Sequence, residues 1–135
     1  MEFKYLTDEI EDVLNLINSV FNTNSKKENF ILLDTQRMLI LKDNNKVIGA
    51  TLITLKNDPI KNQKSFYLDY VCISLEYQHQ GLGRKMFREI ERIALEDQID
   101  YIQLTSNPKR CNARKLYQSE GMEIIDTDLF IKKLK

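Results

Sequence analysis

Phe66-Tyr67-Leu68-Asp69-Tyr70-Val71-Cys72-Ile73, followed four residues later by Gln78-His79-Gln80-Gly81-Leu82-Gly83, is the stretch on which the reading of the chain turns. Its first half is apolar, aromatic and β-branched with Asp69 as the only charge, the composition of a central strand. Beyond the second half, Leu82, Met86, Phe87, Ile90, Ile93 and Ala94 recur at helical spacing, and residues 101–105 form a further short strand pattern. A strand-helix-strand unit of this kind predicts two parallel strands in one sheet, with the helix packed across one face.

Working outward, residues 3–6 read as a short strand, and Asp8 with Glu11 forms a capping-box pattern opening a helix with an apolar face of Ile10, Val13, Leu14, Ile17 and Phe21. Residues 38–41 and 47–55 read as a hairpin around Asp43, Asn44 and Asn45, and a polar turn at 57–64 leads into the central strand. A second helix over 109–120 is predicted to end at Gly121, the residue best suited to a left-handed C-cap. Segments 122–125 and 129–134 are expected to close the chain as a last hairpin around Asp126, Thr127 and Asp128. The predicted class is mixed α/β (α+β), a mostly antiparallel central sheet around one parallel pair.

The chain has 135 residues, 42% of them hydrophobic and 30% charged, a mixture that predicts one domain over 1–135 with a real core. Twenty basic and twenty acidic residues cancel, so nothing calls for a nucleic acid or an anionic membrane as partner. One histidine, His79, and two distant cysteines, Cys72 and Cys111, fit no zinc spacing, and no metal is expected. Two cysteines build no disulfide framework. The acidic Glu2, Asp8, Glu9, Glu11 and Asp12 do not make a signal peptide, and no apolar run approaches the roughly 20 residues of a membrane span. The expected location is cytoplasmic.

Only four glycines occur, Gly49, Gly81, Gly83 and Gly121, and two of them fall in the strand-to-helix turn. Glycines there let a backbone approach a ligand closely, and the first N–H groups of the helix lack internal partners, so together they cradle a phosphate. Arg84, Lys85 and Arg88 supply cations; Arg84 and Arg88, four apart, repel mildly unless an anion lies between them. Taken alone, Gly-x-Gly is equally a glycine N-cap turn with solvated arginines. A Walker loop needs a Gly-Lys-Ser/Thr ending that is absent, and a dinucleotide fingerprint needs a third glycine where Met86 stands.

Val71-Cys72-Ile73 followed by Gln78-x-x-Gly81-x-Gly83 resembles the acyl-CoA signature of the GNAT superfamily of N-acetyltransferases, Arg/Gln-x-x-Gly-x-Gly/Ala. Downstream, Arg110-x-x-Ala113-x-x-Leu116-Tyr117-x-x-x-Gly121-Met122 resembles that family's later motif, with Met122 in place of the usual Phe. The resemblance is specific over residues 66–122. It implies that the central strand and the one after the helix splay apart to admit the pantetheine arm of acetyl-CoA. By matching position, main-chain groups of Val71, Cys72 and Ile73 would bond the pantetheine and acetyl oxygen. Gln78, His79, Gln80, Gly81, Leu82, Gly83 and Arg84 would wrap the pyrophosphate, and Asn107 and Asn112 would flank the cofactor. Similar proteins commonly form homodimers; no residue pattern here fixes the oligomeric state.

The resemblance further implies transfer of an acetyl group to a primary amine. An amine with a pKa near ~10.4 is protonated at pH 7, and freeing its lone pair costs roughly 4.6 kcal/mol, so a base is useful. Asp69 stands where many family members carry a Glu with that role; a structural Asp paired with a neighbour is the alternative. Tyr117 matches the hydroxyl that protonates the departing thiolate, against the alternative of a core tyrosine beside Ala113 and Leu116. Cys72 reads as a small apolar filler, which favours direct transfer without an acyl-enzyme. His79 receives no catalytic duty. The acceptor, small molecule or protein, stays open, and a non-catalytic acyl-CoA sensor on the same fold is the rival reading.

Overall fold

Ile40 and Leu41 are neighbours on a strand, so their side chains leave on opposite faces, and both are sealed from water at 0% and 1% exposure. The sheet they belong to must therefore be covered on both sides. The computed structural model describes residues 1–135, which fall into two compact units, Met1–Thr105 and Ser106–Lys135.

The first unit holds a five-stranded sheet in the order β1-β2-β3-β4-β5, each strand beside its neighbour in the chain. The strands are β1 (Glu2–Tyr5), β2 (Gln36–Asp43), β3 (Lys46–Asp58), β4 (Gln63–Ile73) and β5 (Tyr101–Leu104). The first three pairings are antiparallel, and β4 and β5 are parallel, as the strand-helix-strand pattern predicts. The β2–β3 hairpin turns at Asn44, whose φ of 55° is a left-handed conformation that asparagine tolerates.

Helix α1 (Ile10–Phe21) buries Val13, Leu14, Leu16 and Ile17 against Met38, Ile40, Ala50 and Cys72, one face of the sheet. Helix α2 (Leu82–Glu96) buries Leu82, Met86, Phe87, Ile90, Ile93 and Ala94. Gly49 shows which face α2 takes: a Cβ built there would lie 2.8 Å from Met86 Cε and 3.3 Å from the Cys72 carbonyl oxygen. A side chain at 49, beside its register partner Leu41, would press on the ends of the Met86 and Ile73 side chains and on the Cys72 carbonyl oxygen. The capping box expected of Asp8 and Glu11 does not form. Glu9 takes the N-cap position with no side-chain cap hydrogen bond, and its carboxylate instead folds back to accept from the amides of Thr7 (3.1 Å) and Asp8 (3.2 Å) and from Lys4 Nζ.

The second unit contains α3 (Cys111–Ser119). Gly121, at φ 92°, closes it as expected: its amide donates to the Gln118 carbonyl (3.1 Å) and the Met122 amide to the Tyr117 carbonyl (3.0 Å), a Schellman pair. The predicted last hairpin is absent; residues 122–135 form no strand. Their strand-like composition meets no paired strand, and Ile124, Ile125, Leu129, Phe130, Ile131 and Leu134 are exposed.

Candidate active site

The parallel ladder between β4 and β5 runs from Ser65↔Tyr101 to Leu68↔Leu104 and stops there, although β4 continues to Ile73. The start of the pair is fastened by a reciprocal contact: the Asp100 amide donates to the Lys64 carbonyl, and the Lys64 amide to Asp100 Oδ2, both at 2.8 Å. At the other end the hydroxyls of Tyr67 and Thr105 lie 3.1 Å apart. Past that point the half of β4 from Asp69 to Ile73 has β3 on one side only.

Residues of an antiparallel ladder bond alternately to one side and the other. The Ser74 amide donates to the Ile48 carbonyl (2.7 Å), so Cys72 and Ser74 are turned toward β3, and the main-chain groups of Ile73 and Val71 face the other way. Of the three residues expected to offer main-chain groups, Val71 and Ile73 have the open edge and Cys72 has Ala50. Gln78 Nε2 donates to the Ile73 carbonyl at 3.1 Å, tying the loop to the end of the strand.

The register slips where the strand becomes unpaired. Ala50 pairs with Cys72 but Leu52 pairs with Asp69, so Thr51 alone stands opposite Tyr70 and Val71. This is a β-bulge, and Tyr70 absorbs it with a φ of 54°. Thr51 is fully buried and its hydroxyl donates to the Asp69 carbonyl at 3.3 Å, which pins the bulge. Tyr70 remains 45% exposed, its ring meeting Phe21 of α1 edge-on at 5.3 Å.

Between β4 and α2 the chain makes a 3₁₀ turn, Leu75–Tyr77, then places His79 (φ 64°) and Gly81 (φ 79°) in left-handed conformations. His79, Gln80 and Gly81 are exposed. The first intrahelical bond to return to this turn is from the Lys85 amide to the Gly81 carbonyl (3.2 Å), and the amides of Leu82, Gly83 and Arg84 precede it at the positive end of the helix dipole. The Leu82 side chain itself is core, at 4% exposure. This loop therefore offers backbone donors beside the open edge of β4.

Asp69 shares the α1 face with its register partner Leu52. Its carboxylate has no hydrogen-bonding or ionic partner, and burial pushes it above the ordinary aspartate value. The alternative of an Asp paired with a neighbour is thus not what the side chain does. Burial pushes the Cys72 thiol up to about 12, against a hydrogen bond with the Ala50 backbone, which disfavours a thiolate nucleophile. In the second unit, Tyr117 is half-buried on α3 and burial raises its hydroxyl, with Arg110 pulling the other way. Asn107 accepts from the Lys109 amide (2.9 Å) in the turn before α3, and Asn112 is exposed in its first turn.

Tyr70 and Phe21 were not marked as site residues by the sequence. No local signal announces a tyrosine in the left-handed region, because the bulge is a product of two strands and not of one. No group of three or more His, Cys, Asp or Glu side chains comes together to hold a metal, and no helix is long and apolar enough to cross a membrane.

A family model described as the acetyltransferase (GNAT) family matches residues 7–122, which includes the bulged strand, the glycine loop and α3. The chain belongs to the GNAT acetyltransferase family. A curated relative, N-acetyltransferase family 8 member 3 of Rattus norvegicus, is 25% identical over 84 residues. That match covers 62% of this chain and 37% of the relative, so the chain spans well under half the relative's length. Among solved structures, an aminoglycoside acetyltransferase from an uncultured soil metagenomic sample aligns with a TM-score of 0.84 at 15% identity, covering 99% of this chain and 96% of that one. A ribosomal-protein-alanine N-acetyltransferase from Brucella melitensis gives 0.84 at 12% identity, over 99% and 100% of the two chains. These likenesses show that the mixed sheet and its parallel edge pair are the GNAT fold.

Proposed function

We propose that this GNAT protein transfers an acetyl group from acetyl-CoA directly to a primary amine. The observation that carries the reading is the unzipped edge of β4: the parallel ladder ends at Leu68↔Leu104, and the outward main-chain groups of Val71 and Ile73 follow it. A pantetheine arm carries amides that pair with such an edge as a strand would. The amides of Leu82, Gly83 and Arg84, with the loop Gln78, His79, Gln80 and Gly81, would receive the pyrophosphate. Asn107 and Asn112 would flank the arm. The family match across 7–122 supports treating both units as parts of one functional domain.

In the transfer, Asp69 takes a proton from the acceptor's ammonium, directly or through water, leaving a lone pair on nitrogen. That nitrogen forms the new C–N bond at the thioester carbon as the C–S bond breaks, and the Tyr117 hydroxyl gives its proton to the departing sulfur. An aspartate raised above its ordinary value is better matched to this task than a fully solvated one. Cys72, held protonated, carries no acyl group.

The test is release of free CoA with acetyl-CoA and a panel of primary amines. Tyr117→Phe is expected to lower turnover by about 100-fold or more while acetyl-CoA binding persists. Tight acetyl-CoA binding without turnover on any amine would identify a sensor instead, and absence of acetyl-CoA binding would remove both readings.

A further inference from the structure

We infer that Tyr70, braced by Phe21, selects the acceptor, its ring forming a platform on which an aliphatic ammonium rests beside Asp69. The inference builds on the acetyl-transfer reading and adds the class of amine. A left-handed backbone is disfavoured for any non-glycine residue, and for a bulky side chain it is a genuine outlier. Such strain persists where the surroundings impose it, and it clusters at functional sites. Here the bulge imposes it, and Thr51 locks the bulge from the buried side.

The ring held in this way lies outside the core and meets α1 at its edge. It is 45% exposed, so it fills no core, and its hydroxyl has no partner. Its aromatic contact is the Phe21 ring, perpendicular at 86°, which braces the tyrosine from one side. A fixed and solvent-facing aromatic ring attracts cations over its face.

The surroundings select a cation over a neutral group. Asp69 is the preceding residue, and its half-buried carboxylate is unpaired. Phe21 is the last residue of α1, where helix carbonyls present partial negative charge, and no basic residue stands in that last turn to neutralise it. Tyr70 thus lies among three sources of negative potential: a carboxylate, a helix C-terminus and its own π-face. An acceptor arriving as R–NH₃⁺ would rest on the ring and surrender its proton to Asp69, which then holds the neutral carboxyl while the freed nitrogen attacks. An acceptor whose amine is flanked by its own carboxylate is disfavoured there by repulsion from Asp69.

Choline and its neutral isostere 3,3-dimethylbutan-1-ol provide a binding test that needs no turnover. In an NMR titration of the acetyl-CoA-saturated protein, choline is expected to shift the Tyr70 ring resonances and the isostere to leave them in place. Tyr70→Phe should keep choline binding and Tyr70→Leu should lose it. In turnover with cadaverine, Tyr70→Leu should raise KM for the amine roughly two- to fivefold or more, with KM for acetyl-CoA held. Equal response to choline and its isostere, or no shift of the ring, overturns the inference. Turnover with cadaverine that ignores Tyr70→Leu also overturns it while the acetyl-transfer reading stands. A cation-selective shift without turnover on any amine has the opposite meaning: the ammonium platform stands and the activity falls.

Discussion

Asp69 and Glu9 are carboxylates withdrawn from water to different degrees, and their surroundings push them in opposite directions. Glu9 is 8% exposed, and the hydrogen bond from Lys4 Nζ foremost, then backbone amides including that of Thr7, hold it well below the usual carboxylate range against the opposing effect of burial; Lys42 Nζ also lies 3.4 Å away. Asp69 has no such partners, and burial alone raises it. A lowered group stabilises the fold above its unfolded value and loses that contribution as pH falls, whereas a raised acid stabilises below its unfolded value and loses that contribution as pH rises through the folded one. Glu9→Gln should therefore cost about 1–2 kcal/mol at pH 7 and flatten the acid side of the stability profile, read by urea unfolding at pH 7 and pH 4. Asp69→Asn should leave the protein at least as stable at pH 7, because it removes an ionised group from a poorly solvated place. The same variant should lower turnover by about 10² to 10⁴-fold. It should also abolish an acidic limb of the pH–rate profile that, in the parent protein, lies above the ordinary aspartate value of 3.8. An unchanged acidic limb in Asp69→Asn would assign the base to another group.

The turn from β4 into α2 concentrates left-handed residues, His79 and Gly81, in front of a fifteen-residue helix. A Cβ at Gly81 would meet nothing within 4 Å, so the glycine is there for its φ of 79° and not for space. Gly81→Ala is expected to cost about 1 kcal/mol, and Gly81→Asn less, in thermal melts compared with the parent. At this level the sequence is readable where one element carries its own signal. The apolar face of α2, the asparagine turn of the β2–β3 hairpin and the Gly121 stop each follow from residues a few positions apart. The bulge at Tyr70 is not readable in this way, since it arises from a mismatch in count between β3 and β4. The last hairpin fails for a related reason: residues 122–134 have the composition of strands, but strand formation needs a partner edge that composition does not name. The acidic pattern at Asp8 and Glu11 misleads because Glu9, a residue that usually stays in water, has better bonds available by folding back on Thr7 and Asp8.

For the molecule as a whole, a ligand that binds only the folded state adds stability by mass action, about 2.7 kcal/mol at a hundred times its Kd. For a chain of this length that corresponds to a rise of about 10 °C in Tm, which a melt with acetyl-CoA against equal concentrations of ATP and NAD would detect. A rise with acetyl-CoA alone is the expected result; a rise with NAD or ATP would point to a nucleotide-binding domain of another kind. The order of strands in the sheet has a separate consequence. Each strand lies beside the one made just before or after it, so pairing can follow the direction of synthesis. As the chain leaves the ribosome, every new strand meets an edge already waiting, and the parallel pair that borders the open edge of β4 forms only when the last of them has emerged.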